Sequence, residues 1–172
     1  TEVDTIYRLR NAGVRVPIPH HFIEGVLLME LVKGANGHPA PRQLAGANEL
    51  VAAIEASGAV PALLTGNLEA IAYRKLELAG LAGSFQIGAF GTAFERSDLL
   101  PQLWNRLPTQ ERVPTVIVGD TPSDVAAGLV HGVPTVAVST GHYDRHTLRL
   151  AGATFVFDDL PSALEHANHW LP

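Results

Sequence analysis

Two short segments of the chain hold oxygen-rich side chains where a reaction could use them. In Val118-Gly119-Asp120-Thr121-Pro122-Ser123-Asp124, two carboxylates stand four residues apart, just beyond an apolar run and at the start of a helical pattern. Carboxylates so spaced can face one point above a sheet. Hard oxygen donors of this kind suit Mg²⁺, which commonly takes one or two carboxylates and fills its shell with water and substrate phosphate. The same residues also serve a plainer purpose, with Asp or Ser as N-cap, Pro122 at the helix start and Asp124 near the helix dipole. The second segment is Leu63-Leu64-Thr65-Gly66-Asn67, where a hydroxyl, a glycine amide and a carboxamide follow another apolar run and open another helix. A Thr hydroxyl beside free backbone N–H groups makes a phosphate cradle. An ordinary N-cap with a turn glycine is the alternative.

Such residues act together only if a scaffold brings them to one edge. From about Val60 onward, short apolar runs alternate with amphipathic helical stretches, the pattern of βα units and a doubly wound parallel sheet. The runs are 60–64, 85–87, 115–118, 135–138 and 154–157, and several are nearly all apolar, as expected of strands covered on both faces. Helices are expected at about 48–57, 67–80, 98–107, 122–131, 144–151 and 160–170. Gly58, Gly80, Gly132 and Gly152 follow four of them, where a left-handed C-terminal cap favours glycine. In an open α/β sheet, ligands sit beyond the carboxyl ends of the strands, which is where Thr65 and Asp120 fall.

Residues 1–38 read differently, as two helices at about 2–12 and 21–34 split by Pro17-Ile18-Pro19, with no strand. The stiff His38-Pro39-Ala40-Pro41 then suits a linker, so the expected organisation is a helical piece at 1–38 and an α/β core at 39–172.

Composition narrows the function classes. The 172 residues are 47% apolar, enough for a compact core, and carry a net charge of −5 with 12 scattered Lys and Arg. No basic stripe exists for a nucleic-acid backbone, so nucleic acid is not an expected partner. No apolar run reaches the roughly 20 residues of a membrane span. The absence of cysteine removes thiolate metal sites and nucleophiles, and a reducing cytoplasm is the natural setting. The eight histidines show no metal-triad spacing and are expected at the surface. His142, in Thr140-Gly141-His142-Tyr143 after the fourth run, is placed to line a substrate entrance. Asp158-Asp159 is expected to cap the last helix rather than bind metal.

With Thr65 and the Asp120/Asp124 pair in this order, about 55 positions apart, nearly the whole chain resembles the haloacid dehalogenase superfamily. In that family a Thr or Ser after the second core strand and a Gly-Asp-x-x-x-Asp after the fourth are recurrent motifs. The resemblance implies a Rossmann-like core, with residues 1–38 the remainder of a helical cap. It implies that Thr65, Gly66 and Asn67 hold phosphate, that Asp120 binds Mg²⁺ with Asp124 directly or through water, and that a cation stands between these sites. Arg96, in Phe94-Glu95-Arg96-Ser97-Asp98, is the best candidate for that cation, ahead of Arg74 and Lys75; the other reading of Arg96 is a simple ion pair with a nearby acid. The reaction implied is hydrolysis of a small phosphomonoester through an aspartyl phosphate. The substrate class is a small phosphorylated metabolite, as in the phosphoglycolate phosphatase-like branch.

One required motif is not found. No Asp-x-Asp follows a strand upstream of Thr65, and Asp4 lies in a helical pattern. In the family that strand is central, flanked by those ending at Thr65 and Asp120, so the sheet is expected to show a gap and the chain to be inactive by itself. A gapped sheet exposes two strand edges, a heavy cost against a stability of about 5–15 kcal/mol. The favoured reading is therefore the later part of a longer phosphatase; the alternatives are a non-catalytic relative whose gap another chain fills, or a dehalogenase-type relative.

Overall fold

The computed structural model describes residues 44–81, 83–91, 96–107 and 113–171, the backbone of 19–23 and 26–29, and the helical residues Arg8 and Asn11. Two units divide the chain, Thr1–Pro41 and Arg42–Pro172. The expected linker at 38–41 lies outside the described residues, as does most of the helix expected at 2–12.

In the first unit, β1 (Pro19–Ile23) and β2 (Val26–Met29) form an antiparallel pair in which Ile23 faces Val26 and Pro19 faces Met29. The helix expected at 21–34 is thereby corrected over these residues. Val26-Leu27-Leu28-Met29 is too short a run to choose helix by periodicity. Only two residues, one of them Gly25, separate it from Phe22-Ile23, a hairpin spacing.

In the second unit, α1 (Ala47–Ala56) precedes β3 (Ala62–Thr65), α2 (Glu69–Leu78) and β4 (Ile87–Phe90). A 3₁₀ turn (Arg96–Asp98) runs into α3 (Leu99–Asn105), followed by β5 (Ile117–Gly119), α4 (Pro122–His131) and β6 (Thr135–Val138). The chain closes with α5 (Arg145–Leu150), β7 (Phe155–Phe157), α6 (Leu160–Glu165) and a second 3₁₀ turn (Ala167–His169). The expected βα alternation is present, and helical crossovers of this kind return the chain for parallel pairing. β3 pairs with β4, β5 with β6 and β6 with β7, all parallel. Among the described residues no strand pairs with β3 or β5 on their remaining sides, so two sheet fragments stand where one continuous sheet would run.

Side-chain alternation shows how those fragments are covered. Val136 and Val138 of β6, with Val116 and Val118 beside and within β5, gather with Leu50 of α1, Leu160 and Ala163 of α6, and Trp170. Ala137 points the other way, onto Val125 of α4 and Leu148 of α5. Ile117 likewise faces a cluster built from Leu99, Leu100, Leu103 and Trp104 of α3, which also takes in Ala89, Ala62 and Leu64. This period of two is what a strand between two helical layers requires. Since Ile117 of β5 and Leu64 of β3 share one cluster, α3 ties the two fragments together without a hydrogen bond between them. Burying side chains such as Leu100, 1% exposed, contributes about 1.5–3 kcal/mol each.

The four expected cap glycines, Gly58, Gly80, Gly132 and Gly152, all have φ between 63° and 95°. Asp159 caps α6 by accepting from the Ser162 N–H at 2.8 Å and hydroxyl at 2.6 Å, as the sequence reading anticipated. These bonds, the hydroxyl first, lower its pKa. Asp144 caps α5 through Thr147 N–H at 2.8 Å, and that backbone bond lowers its pKa in the same way. The last helix ends at Glu165 rather than near 170.

Candidate active site

The turn from β5 into α4 is organised by a carboxylate facing inward. Thr121 is the N-cap, its hydroxyl accepting from Asp124 N at 3.3 Å, and Asp124 returns the bond by accepting from Thr121 N at 3.0 Å. This reciprocal capping box satisfies backbone donors that the helix itself leaves open. The same Oδ2 of Asp124 also accepts from Asp120 N at 3.2 Å and the Thr121 hydroxyl at 2.8 Å. Its other oxygen, Oδ1, takes a charged hydrogen bond from Arg96 Nη1. A carboxylate only 5% exposed is tolerable because both oxygens are engaged and its charge is paired.

Gly119 makes this possible by lacking a side chain. A Cβ there would stand 2.5 Å from both Cβ and Oδ2 of Asp124, closer than real contacts allow. Gly141, just beyond β6, is the counterpart for Asp120: a Cβ would fall on Asp120 Oδ2 and 3.1 Å from its Cγ. The Asp120 carboxylate is half-buried and, unlike Asp124, has no hydrogen bond to its oxygens among the described residues.

A second network surrounds Thr65. Its hydroxyl accepts from Asn67 N at 3.2 Å and Asn67 Nδ2 at 2.8 Å, while Lys75 Nζ donates to Asn67 Oδ1 at 2.8 Å. The N-cap of α2 is Leu68, without a side-chain hydrogen bond, so Thr65 shapes a turn rather than capping the helix. Gly66 has open space where a Cβ would be. Lys75, ranked behind Arg96 as a candidate cation, is exposed but tied to the Asn67 carboxamide.

The structure therefore brings Arg96, Asp120 and Asp124 into one network and Thr65 and Asn67 into another. No hydrogen bond or ion pair joins the two among the described residues. Of the two readings of Arg96, the ion pair with a nearby acid is the one seen, and that acid is Asp124. Of the histidines, His142 is exposed as expected, whereas His131 is half-buried, its Nε2 2.8 Å from Ser97 O. Among the described residues no group of three or more His, Cys, Asp or Glu could hold a metal ion.

Residues 91–163 match the family model described as HAD-hydrolase-like, and residues 1–63 match that of a RIO domain. A phosphoglycolate phosphatase from Rhodospirillum rubrum is 36% identical over 135 aligned residues, covering 73% of this chain and 55% of the relative. The chain thus spans about half the length of that curated relative. A hydrolase from Pseudomonas syringae superposes with TM-score 0.65 at 20% identity, covering 75% of this chain and 61% of that one. A HAD family hydrolase from Deinococcus radiodurans R1, solved with bound phosphate and sodium, gives 0.60 at 24% identity, over 74% of this chain and 60% of that one. On these matches the chain carries a haloacid dehalogenase-like hydrolase domain similar to the phosphoglycolate phosphatase-like branch.

Proposed function

We propose that this domain is the supporting part of a Mg²⁺-dependent phosphatase for small phosphomonoesters, with the nucleophilic aspartate supplied by sequence outside the described residues. The observation that carries this reading is the contrast between two neighbouring carboxylates. Asp124 is saturated by four hydrogen bonds, whereas Asp120, four residues away, keeps its oxygens unbonded among the described residues. A half-buried, unbonded carboxylate at a strand end is a fit donor for a hard cation that leaves much of its shell to water and phosphate. Asp120 would hold the ion directly, and Asp124 would act through water or through its grip on Asp120 N and Arg96. When bound, Mg²⁺ would offset the charge of the phosphoryl group.

The chain's own groups supply the rest. The Thr65 hydroxyl, Gly66 amide and Asn67 carboxamide would bind and orient phosphoryl oxygens; Asn67 already has Lys75 lending it positive charge. Arg96 would limit repulsion between phosphate and carboxylates while holding Asp124 in place. Attack on phosphorus requires an aspartate these residues do not contain; the substrate's alcohol would leave with a proton as the aspartyl phosphate forms, and water would then hydrolyse that intermediate to inorganic phosphate and the free aspartate. The substrate class is a small phosphorylated metabolite, and the cysteine-free composition suits the cytoplasm. Among the described residues no helix is long and apolar enough to cross a membrane.

Isothermal titration of the chain with Mg²⁺, followed by p-nitrophenyl phosphate turnover, tests this reading. Expected are Mg²⁺ binding lost in Asp120→Asn and no turnover by the chain itself. Turnover by this chain would contradict the external nucleophile, and Mg²⁺ binding indifferent to Asp120→Asn would contradict the metal assignment. A non-catalytic module on the same fold would bind no Mg²⁺.

A further inference from the structure

The half-buried His131 has no part in the site as described above, yet it touches the segment that carries Arg96. Residues 124 and 131 are seven apart on α4, two turns of a 3.6-residue helix, so both lie on one face about 10.5 Å apart along the axis. The 3₁₀ turn Arg96–Asp98 lies against this helix and meets that face at both points. Arg96 reaches Asp124 in the first turn, and Ser97 O accepts from His131 Nε2 at 2.8 Å in the last. A carbonyl oxygen only accepts, so Nε2 carries the proton whether the ring is neutral or charged.

The ring is itself held. It stands edge-on to the Trp104 indole, with centroids 5.6 Å apart and planes at 83°. Trp104 is a core residue of α3 whose Nε1 donates to Thr115 Oγ1 at 3.0 Å, and Thr115 Oγ1 in turn donates to Val113 O at 2.7 Å. The Ser97 carbonyl therefore bonds to a rigid group rather than to solvent. Because Ser97 follows Arg96 directly, fixing its carbonyl restricts where the Arg96 backbone can sit. An arginine about a third exposed would otherwise sample many rotamers.

We propose that His131 is a positioning residue for Arg96, clamping the Ser97 carbonyl so that the guanidinium meets Asp124 and faces the phosphate site. The phosphate arm of this proposal rests on the reading of Arg96 given above; the positional arm does not. Three substitutions separate the hydrogen bond from the packing. His131→Gln retains an N–H donor at similar reach. His131→Phe retains the ring edge against Trp104 but has no donor. His131→Ala retains neither.

Two measurements on the full chain decide it. In ¹⁵N NMR, the guanidinium resonances of Arg96, assigned by their loss in Arg96→Lys, are expected at an ion-paired position in the wild type and His131→Gln. They should move toward free arginine in His131→Phe and His131→Ala. Titration with inorganic phosphate in Mg²⁺ should show affinity reduced on the order of tenfold in His131→Phe, as loss of one oriented charged hydrogen bond gives, and recovered in His131→Gln. Mg²⁺ affinity should stay unchanged. Arg96 resonances unmoved by His131→Phe, or restored by Phe and not by Gln, would overturn the proposal and leave His131 a packing residue. If the wild type binds no phosphate, the phosphatase reading fails while the NMR comparison still decides His131.

Discussion

Replacing Gly119 by alanine sets two physical effects against each other with opposite signs. Gly119 closes β5 and has no positive φ, so backbone entropy and strand preference alone make alanine the better residue by roughly 0.5–1 kcal/mol. The close approach of Asp124 reverses this. A Cβ at 119 would lie 2.5 Å from Cβ and Oδ2 of Asp124, so the carboxylate must retreat by about 1 Å to reach ordinary contact distance. From 3.0 and 3.2 Å, the bonds from Thr121 N and Asp120 N would lengthen past hydrogen-bond range. Each hydrogen bond to a charged group is worth about 1.5–3 kcal/mol, and half-exposed donors recover part of that from water. Net of the backbone gain, Gly119→Ala should cost about 3 kcal/mol, which lowers the melting temperature of a domain this size by roughly 10 °C. Differential scanning calorimetry reads it directly. A melting temperature unchanged or raised would show that the Asp124 network does not support the β5–α4 turn, and the argument for its role would fail.

Gly141→Ala presses on Asp120 instead, and because that carboxylate is only half-buried and its oxygens hold no hydrogen bond among the described residues, stability should change little while Mg²⁺ affinity by titration falls at least about tenfold. Leu100→Ala, at a site 1% exposed in the cluster joining both sheet fragments, should cost about 2–5 kcal/mol in urea unfolding. Asp144 and Asp159 have pKa values lowered by their capping bonds, so each stabilises the fold above the unfolded carboxylate pKa, and that contribution disappears as pH falls through the lower folded value. The urea midpoint should therefore fall below about pH 4, and fall less steeply in Asp159→Asn.

Much of the core was legible because it depends on local periodicity. The nearly all-apolar run 135–138 became β6, with every residue buried, and the 122–131 helix begins and ends where its Pro122 and Gly132 placed it. Strand β4 was less so. Expected at 85–87, it runs over Ile87–Phe90, because the small Gly88 and Ala89 carry no strand preference of their own, and Ala89 is buried in the cluster with α3. The hairpin at 19–29 was hidden because a short apolar run satisfies helix and strand templates equally.

Site residues divide along the same line. Asp120, Asp124 and Thr65 could be singled out as candidates because residue type and spacing within a single strand-end turn suffice to propose them. That Arg96 would meet Asp124, twenty-eight residues away, was left as one of two readings, since only tertiary packing chooses the acid. The roles of Gly119 and Gly141 could not be read at all, because each glycine is demanded by an approaching carboxylate rather than by its own backbone angle. For His131 a signal did exist: it shares the helical face of Asp124, seven residues on. Nothing local, however, indicates that Ser97 O waits there.

The proposed division of labour between the two carboxylates is tested most directly by measuring Mg²⁺ affinity in parallel for the wild type, Asp120→Asn and Asp124→Asn. The account expects Asp120→Asn to abolish binding with the melting temperature nearly unchanged, and Asp124→Asn to lower the melting temperature because the single uncharged carboxamide oxygen cannot serve both Arg96 and the capping box. Equal thermal loss in both variants, or Mg²⁺ binding that survives Asp120→Asn, would contradict it.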